Sequence, residues 1–153
     1  MIDSTDIKIL KALKANARVN ASEIAGKINM SVSAVIERIK KLELSGVINR
    51  YTVLLDHKKL NMDIAAFMSV SMEHPKYNDA FVEAVNSDSR IVECNYITGD
   101  FDYLLKLVTT TTDDLYAALK NIKSIPGVSL TRTQLVLFPT KNEVTILPDE
   151  ASR

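Results

Sequence analysis

Ser31, Ser33, Ala34, Glu37, Arg38 and Lys41 share one side of a helical period and together offer hydroxyls, a methyl, a carboxylate, a guanidinium and an ammonium. That set can read the edges of base pairs. A guanidinium bonds O6 and N7 of guanine, and hydroxyl and ammonium groups meet phosphate oxygens. The opposite side of the stretch is apolar, with Val35, Ile39 and Leu42 spaced as one helical stripe. An anchored stripe beneath a small, polar, basic outer face is what insertion into a DNA major groove requires. Arg38 and Lys41 are the leading base or phosphate contacts. The same charges would also make an ordinary solvated face, since Glu37 precedes Lys41 by one helical turn.

The neighbouring residues supply what such a helix needs. Ser31 can cap its start, and Gly46 can end it in the left-handed conformation. Before it, Asn20 and Glu23 have capping-box spacing, Ile24, Ala25 and Ile28 share a face, and Asn29-Met30 forms the turn. Asp3 to Asn16 is expected as a first helix, capped by Asp3 or Ser4, with Ile7, Leu10 and Leu13 inward and Asp6 at the positive end of its dipole. The expected core is Ile7, Leu10, Leu13, Ile24, Ile28, Val35, Ile39 and Leu42. Val47 to Leu55 is β-rich and stands where the wing of a winged helix-turn-helix follows the reading helix. Asp56 to Asn61 is polar and reads as a linker, so residues 1–62 form a winged helix-turn-helix DNA-binding domain with its linker.

From Asp63 the period changes to that of a strand, with Ile64, Ala66, Met68, Val70 and Met72 alternating. Tyr77 to Val85 is helical after Pro75, with Phe81, Val82 and Val85 apolar. Strands follow at Ile91 to Thr98 and Asp102 to Thr109, joined by a turn at Gly99 to Phe101. A helix spans Asp113 to Ile125, with Leu115, Leu119 and Ile122 inward. Pro126-Gly127 stops it before a last strand, Val128 to Phe138. The order βαββαβ predicts a ferredoxin-like split βαβ domain over residues 63–153, and an α+β chain overall. Asp149 to Arg153 reads as a frayed tail.

Charge divides along the same boundary. The chain is neutral as a whole, with 19 Lys and Arg against 19 Asp and Glu. Its basic residues concentrate before Asp63 and its acidic ones after, which suits one module that meets phosphate and another that meets something else. A single cysteine, Cys94, excludes an intrachain disulfide and fits a reducing compartment. The start lacks the order of a signal peptide, and no apolar run approaches a membrane span of about 18 residues. A cytoplasmic protein is expected.

These features together resemble the Lrp/AsnC family, the feast/famine transcription regulators. The matching residues are Asp3-Ser4-Thr5-Asp6-Ile7-Lys8-Ile9-Leu10, Glu23-Ile24-Ala25, and Arg38-Ile39-Lys40-Lys41-Leu42-Glu43 leading to Gly46-Val47-Ile48. In the second module they are Gly99-Asp100-Phe101-Asp102-Tyr103-Leu104, Pro126-Gly127-Val128 and Thr131-Arg132-Thr133. Each piece alone is weak; their order and spacing are specific, and they cover nearly the whole chain. The resemblance implies a homodimer, often assembled to an octamer, that binds double-stranded DNA and is modulated by an amino acid or related metabolite. It places the effector near the loop of Thr98, Gly99, Asp100, Asp102 and Tyr103. An amino acid needs an acceptor for its ammonium and donors for its carboxylate, and a glycine loop with acids offers both. A plain turn glycine between ordinary turn acids is the alternative reading. Tyr96, Thr131 and Thr133 lie on strands that could line a pocket there or simply the sheet.

No enzyme is expected. His57 and His74 lack cysteine or acid neighbours at metal-ligand spacing, and no nucleophile elbow, P-loop or dinucleotide fingerprint occurs. Catalytic residues, metal ligands and cofactors are therefore not assigned. Two rival functions stay open: an effector-free architectural DNA-binding protein, and an enzyme resembling the sirohaem decarboxylases, which share the two-module plan. Arg38, Lys40 and Lys41 argue against the second.

Overall fold

In a computed structural model residues 2–148 are described, so the tail read as frayed, 149–153, lies outside the described residues. The described chain divides into two compact units, residues 2–54 with 141–148, and Leu55–Thr140. The sequence reading placed everything after residue 62 in one module. The structure instead groups residues 141–148 with the first unit, where Glu143 pairs with Lys14 at 3.1 Å.

The first unit holds three helices, α1 (Ser4–Ala15), α2 (Ala21–Ile28) and α3 (Val32–Leu44). Asp3 caps α1 by accepting from the Asp6 N–H at 2.8 Å, and Asp6 answers by accepting from the Asp3 N–H at 3.0 Å. Two otherwise orphaned donors are thereby satisfied, each exchange being worth about 1 kcal/mol. At α2 the closure differs from the expected capping box. Asn20 accepts from the Glu23 N–H at 2.8 Å, but Glu23 returns to the Asn20 side-chain amide rather than to backbone. Asn29 turns the chain in the left-handed region at φ 54°, and Ser31 accepts from the Ala34 N–H to start α3.

Ile9, Ile24, Ala25, Val35 and Leu42 form the buried core, with Leu10, Leu13, Ile28 and Ile39 partly covered around it. Full burial of an isoleucine or leucine contributes about 1.5–3 kcal/mol, so Ile9 is a principal anchor that the expected stripe omitted. The buried side of α1 takes in Asp6 and Ile9 beside the expected Ile7. An acid tolerates that flank because its oxygens are engaged by Asp3 and by α3.

Val47–Leu55 is not a strand. It bends at Val47 and Ile48 and carries no regular structure after them, and no ladder partner pairs with it among the described residues. Valine, tyrosine and threonine favour strands only where a neighbour completes the hydrogen bonding. Gly46, at φ 74°, ends α3, and the Tyr51 hydroxyl donates to Glu43 at 2.8 Å. The expected linker contains one tight turn, Lys58–Leu60, begun by Asp56 accepting from the Lys58 N–H.

The second unit follows the predicted order. Its strands are β1 (Ile64–Met72), β2 (Ile91–Tyr96), β3 (Tyr103–Thr109) and β4 (Val128–Leu135), with α4 (Asn78–Ser87) and α5 (Thr112–Lys123) as crossovers. The described strands form one antiparallel sheet in the order β2-β3-β1-β4. Met68, Val70, Tyr103, Leu105 and Leu107 point to the face that Phe81 and Val85 of α4 and Ala118 and Ile122 of α5 cover. The register puts Phe67, Lys106 and Gln134 side by side on the other face, and likewise Ser69, Leu104 and Arg132. Gly127 links α5 to β4 at φ 87°, where a β-carbon would run into the Tyr77 ring. Only glycine meets both constraints.

Candidate functional site

The helix-turn-helix presents α3 with one side buried and one open. Val35 and Leu42 are buried, while Ser31, Val32, Ser33, Ile36, Glu37, Lys40 and Lys41 are exposed and Ala34 is half-buried. The Ser31 hydroxyl is occupied in capping and lies 3.2 Å from the Ser33 hydroxyl. Towards the C-terminal end, Glu37, Lys40, Lys41, Leu44 and Ser45 line a shallow groove. Carboxylate, hydroxyl and ammonium groups are therefore available on the open side of α3, as base and phosphate contacts demand.

Arg38 is not on that surface. Its guanidinium turns to α1, donating to Asp3 at 2.7 Å and to Asp6 at 2.8 Å. At 3.6 residues per turn, Arg38 falls beside Val35 and Leu42 rather than opposite them, so it flanks the buried stripe. This corrects its placement on the outward arc. The Asp6 N–H and then the Arg38 guanidinium hold the Asp3 carboxyl below the ordinary aspartate range. Both carboxylates raise Arg38 above the ordinary arginine range. Arg38 is a positioning residue that sets α3 on α1. Asp3 and Asp6 were read only as helix-start acids, because nothing local in the sequence points thirty residues ahead to their partner.

The second candidate group occupies the turn between β2 and β3. Thr98, Gly99 and Asp100 are exposed, with Gly99 at φ 112°, a conformation side chains disfavour. Asp102 accepts from the Met72 N–H at 2.7 Å, while its own N–H donates to the Val70 carbonyl at 3.0 Å. It fastens the turn to the end of β1. The Ser71 hydroxyl adds a bond to the Asp100 carbonyl at 3.3 Å. Tyr103 departs from the expected site altogether. It is only 5% exposed, with its ring 4.7 Å from Phe81 and 5.2 Å from Tyr96, because β-alternation sends it to the helix-covered face. The structure adds two residues that the reading missed as a pair: the Arg132 guanidinium lies over the Phe101 ring at 5.3 Å. Arg132 stood in the Thr131-Arg132-Thr133 motif, but its nearness to the turn depends on strand order. Thr131 is half-buried and Tyr96 and Thr133 are exposed.

Other reactive groups have structural roles. His74 accepts from the Lys76 N–H through Nδ1, and burial pushes the Cys94 thiol up, away from nucleophilic thiolate. No metal-binding cluster occurs among the described residues. A cleft of about 520 Å³ lies at the far end of the sheet from the turn, lined by Val85, Arg90, Asn121 and Ile125. Arg90 is already engaged by Asp88 at 2.6 Å and Asp114 at 3.1 Å.

Comparison with known proteins accords with both modules. Residues 65–146 match the Lrp/AsnC ligand binding domain, and residues 2–49 match a winged helix-turn-helix DNA-binding domain. The chain is 35% identical to the HTH-type transcriptional regulator FL11 of Pyrococcus horikoshii over 147 residues, covering 96% of each. It is 32% identical to the leucine-responsive regulatory protein of Haemophilus influenzae over 143 residues, 92% of this chain and 86% of that one. Among solved structures, a Neisseria meningitidis transcriptional regulator in complex with L-methionine is similar, with a TM-score of 0.90 and 29% identity over 96% of this chain and 97% of that one. Escherichia coli AsnC gives a TM-score of 0.91 and 27% identity over 97% and 99%. Full-length agreement in sequence, module order and fold leaves one conclusion: the chain belongs to the Lrp/AsnC family of transcriptional regulators.

Proposed function

We propose that this protein is a sequence-specific DNA-binding transcriptional regulator whose grip on DNA responds to an amino acid or related small metabolite. The observation that carries the reading is the open face of α3, polar and basic over a buried stripe, in a chain whose second module is of the ligand-binding type. Ser31, Ser33, Ala34, Glu37 and Lys41 supply contacts to double-stranded DNA, with Lys40 beside them. Arg38 supports them from behind.

The effector site centres on Thr98, Gly99 and Asp100, with Asp102 holding the turn in place. The exposed Asp100 carboxylate suits an ammonium, and Arg132 beside Phe101 suits a carboxylate. The similar Neisseria regulator was solved with L-methionine, which supports an amino acid as ligand. The sheet face bearing Phe67 and Leu104 is the proposed homodimer contact, from which octamers assemble, and a cytoplasmic setting fits a chain in which no described helix is long and apolar enough to cross a membrane.

Nuclease footprinting of purified protein on genomic fragments, with light scattering of the same sample, tests this reading. Protected half-sites about one helical turn apart and an even-numbered assembly are expected. Uniform binding without footprints, or a 17.0 kDa monomer at micromolar concentration, would overturn it.

A further inference from the structure

We infer that Val32 and Ile36 read the C5 methyl groups of thymine, so that this protein's half-site carries thymines where these two side chains land. The inference rests on the DNA-binding reading above and specifies which bases that same helix selects.

The starting observation is what the open arc of α3 lacks. With Arg38 tied to Asp3 and Asp6, no arginine stands on it, and the cations left to meet a guanine edge or a phosphate are Lys40 and Lys41 towards its C-terminal end. Its N-terminal half carries two exposed aliphatic side chains among the hydroxyls of Ser31 and Ser33. Val32 is 42% exposed and Ile36 52% exposed, one turn apart, with Ser33 and Glu37 next to them and Lys40 and Lys41 following. A single exposed aliphatic residue needs no explanation. Two stacked on the reading end of a DNA-binding helix, inside a polar and basic rim, form a strip that must meet something.

In the major groove the thymine methyl is the apolar feature that base edges present. Both side chains are β-branched, so a helix holds each near one rotamer and little freedom is lost on contact. Glu37 adds a separate selection at a neighbouring base. Its carboxylate accepts from cytosine N4 and faces only acceptors on the guanine edge, so guanine is disfavoured beside the thymines. The basic pair further along supplies attraction to phosphate without choosing a base. Leu44 is exposed as well, but it lies at the opposite end of α3 from the strip.

The test recovers preferred sites from a random duplex library with the full-length protein, then replaces each thymine singly by deoxyuridine, which lacks only the methyl. Affinity is expected to fall about fourfold at one or two positions per half-site, the worth of one buried carbon. Ile36→Ser and Val32→Ser should each bind the thymine site more weakly and lose the difference between thymine and uracil at one position. Circular dichroism checks that these exposed substitutions leave the fold intact. Equal affinity for thymine and uracil at every position overturns the inference while leaving DNA binding standing. So does a thymine preference that survives in both variants. If Ile36→Ser instead dissociates the oligomer with base preference unchanged, the strip belongs to a second copy and the inference falls. Failure to select any sequence overturns the DNA-binding reading itself.

Discussion

The Arg38 guanidinium donates to the Asp6 carboxylate across 2.8 Å, joining the reading helix to the first helix of the chain. Asp6 is 8% exposed and Asp3 lies at the surface, so one guanidinium bridges a buried and an open carboxylate. The arrangement ties α3 to the start of α1.

Arg38→Ala should therefore act on stability first. Leaving the Asp6 carboxylate without its cation is expected to cost the first unit about 1–3 kcal/mol. Asp6→Ala should remove most of that penalty in the double variant. Urea unfolding of the four proteins measures the coupling. Relative preference among DNA sites should be the same in Arg38→Ala as in the wild type, whereas relaxed specificity at one base position would restore Arg38 as a reader.

Lys41→Ala is expected to weaken all DNA sequences alike and to lower the salt slope of binding by about 1. Fluorescence anisotropy on specific and random duplexes over a salt series separates this from a base contact. An effect confined to the specific site would contradict it.

How far these roles could be seen in the sequence depended on how local they are. Caps at Asp3, Asn20 and Ser31, the turn at Asn29 and the stop at Gly46 follow from chemistry within a few residues, and the structure has them all. The period-two pattern of β1 and the βαββαβ order were equally readable. Arg38 was not, because its partners are set by how α1 and α3 pack. The segment Val47–Leu55 has strand-forming residues, but propensity supplies no partner strand. At the candidate effector turn, Gly99 and the acids were visible as a cluster. Only the strand register revealed that Asp102 serves the Met72 N–H and that Tyr103 faces inward.

Asp102 must accordingly be altered with care. Asp102→Ala leaves the Met72 N–H at the end of β1 without its acceptor and should cost about 1–3 kcal/mol. Asp102→Asn keeps an acceptor oxygen and should unfold within about 1 kcal/mol of the wild type. Thermal unfolding followed by calorimetry compares them. Equal stability of the alanine variant and the wild type would show that this bond contributes nothing.

A pH dependence follows from the second unit. The Arg90 guanidinium, through a two-pronged bond, holds the Asp88 carboxyl below the ordinary aspartate range. A carboxyl whose folded value is depressed stabilises the fold fully above its unfolded value of about 3.9 and loses that contribution as pH falls through the folded value. Asp88→Asn should be less stable than the wild type at pH 7 by about 1–3 kcal/mol. The two should converge as pH falls through the folded value. Denaturant unfolding at a series of pH values checks the sign, and a gap that widens in acid would refute it.

Regulation by a metabolite is decided by titrating the protein with each standard amino acid by calorimetry and measuring operator affinity with and without any that binds. At least one should bind and change DNA affinity by about 5- to 150-fold, a coupling of about 1–3 kcal/mol. Asp100→Asn should weaken that ligand while leaving unliganded DNA binding within twofold, roughly the scale of surface substitutions. An amino acid that binds without altering DNA affinity, or a protein that binds none and grips its operator constantly, would contradict effector control and leave an architectural DNA-binding protein.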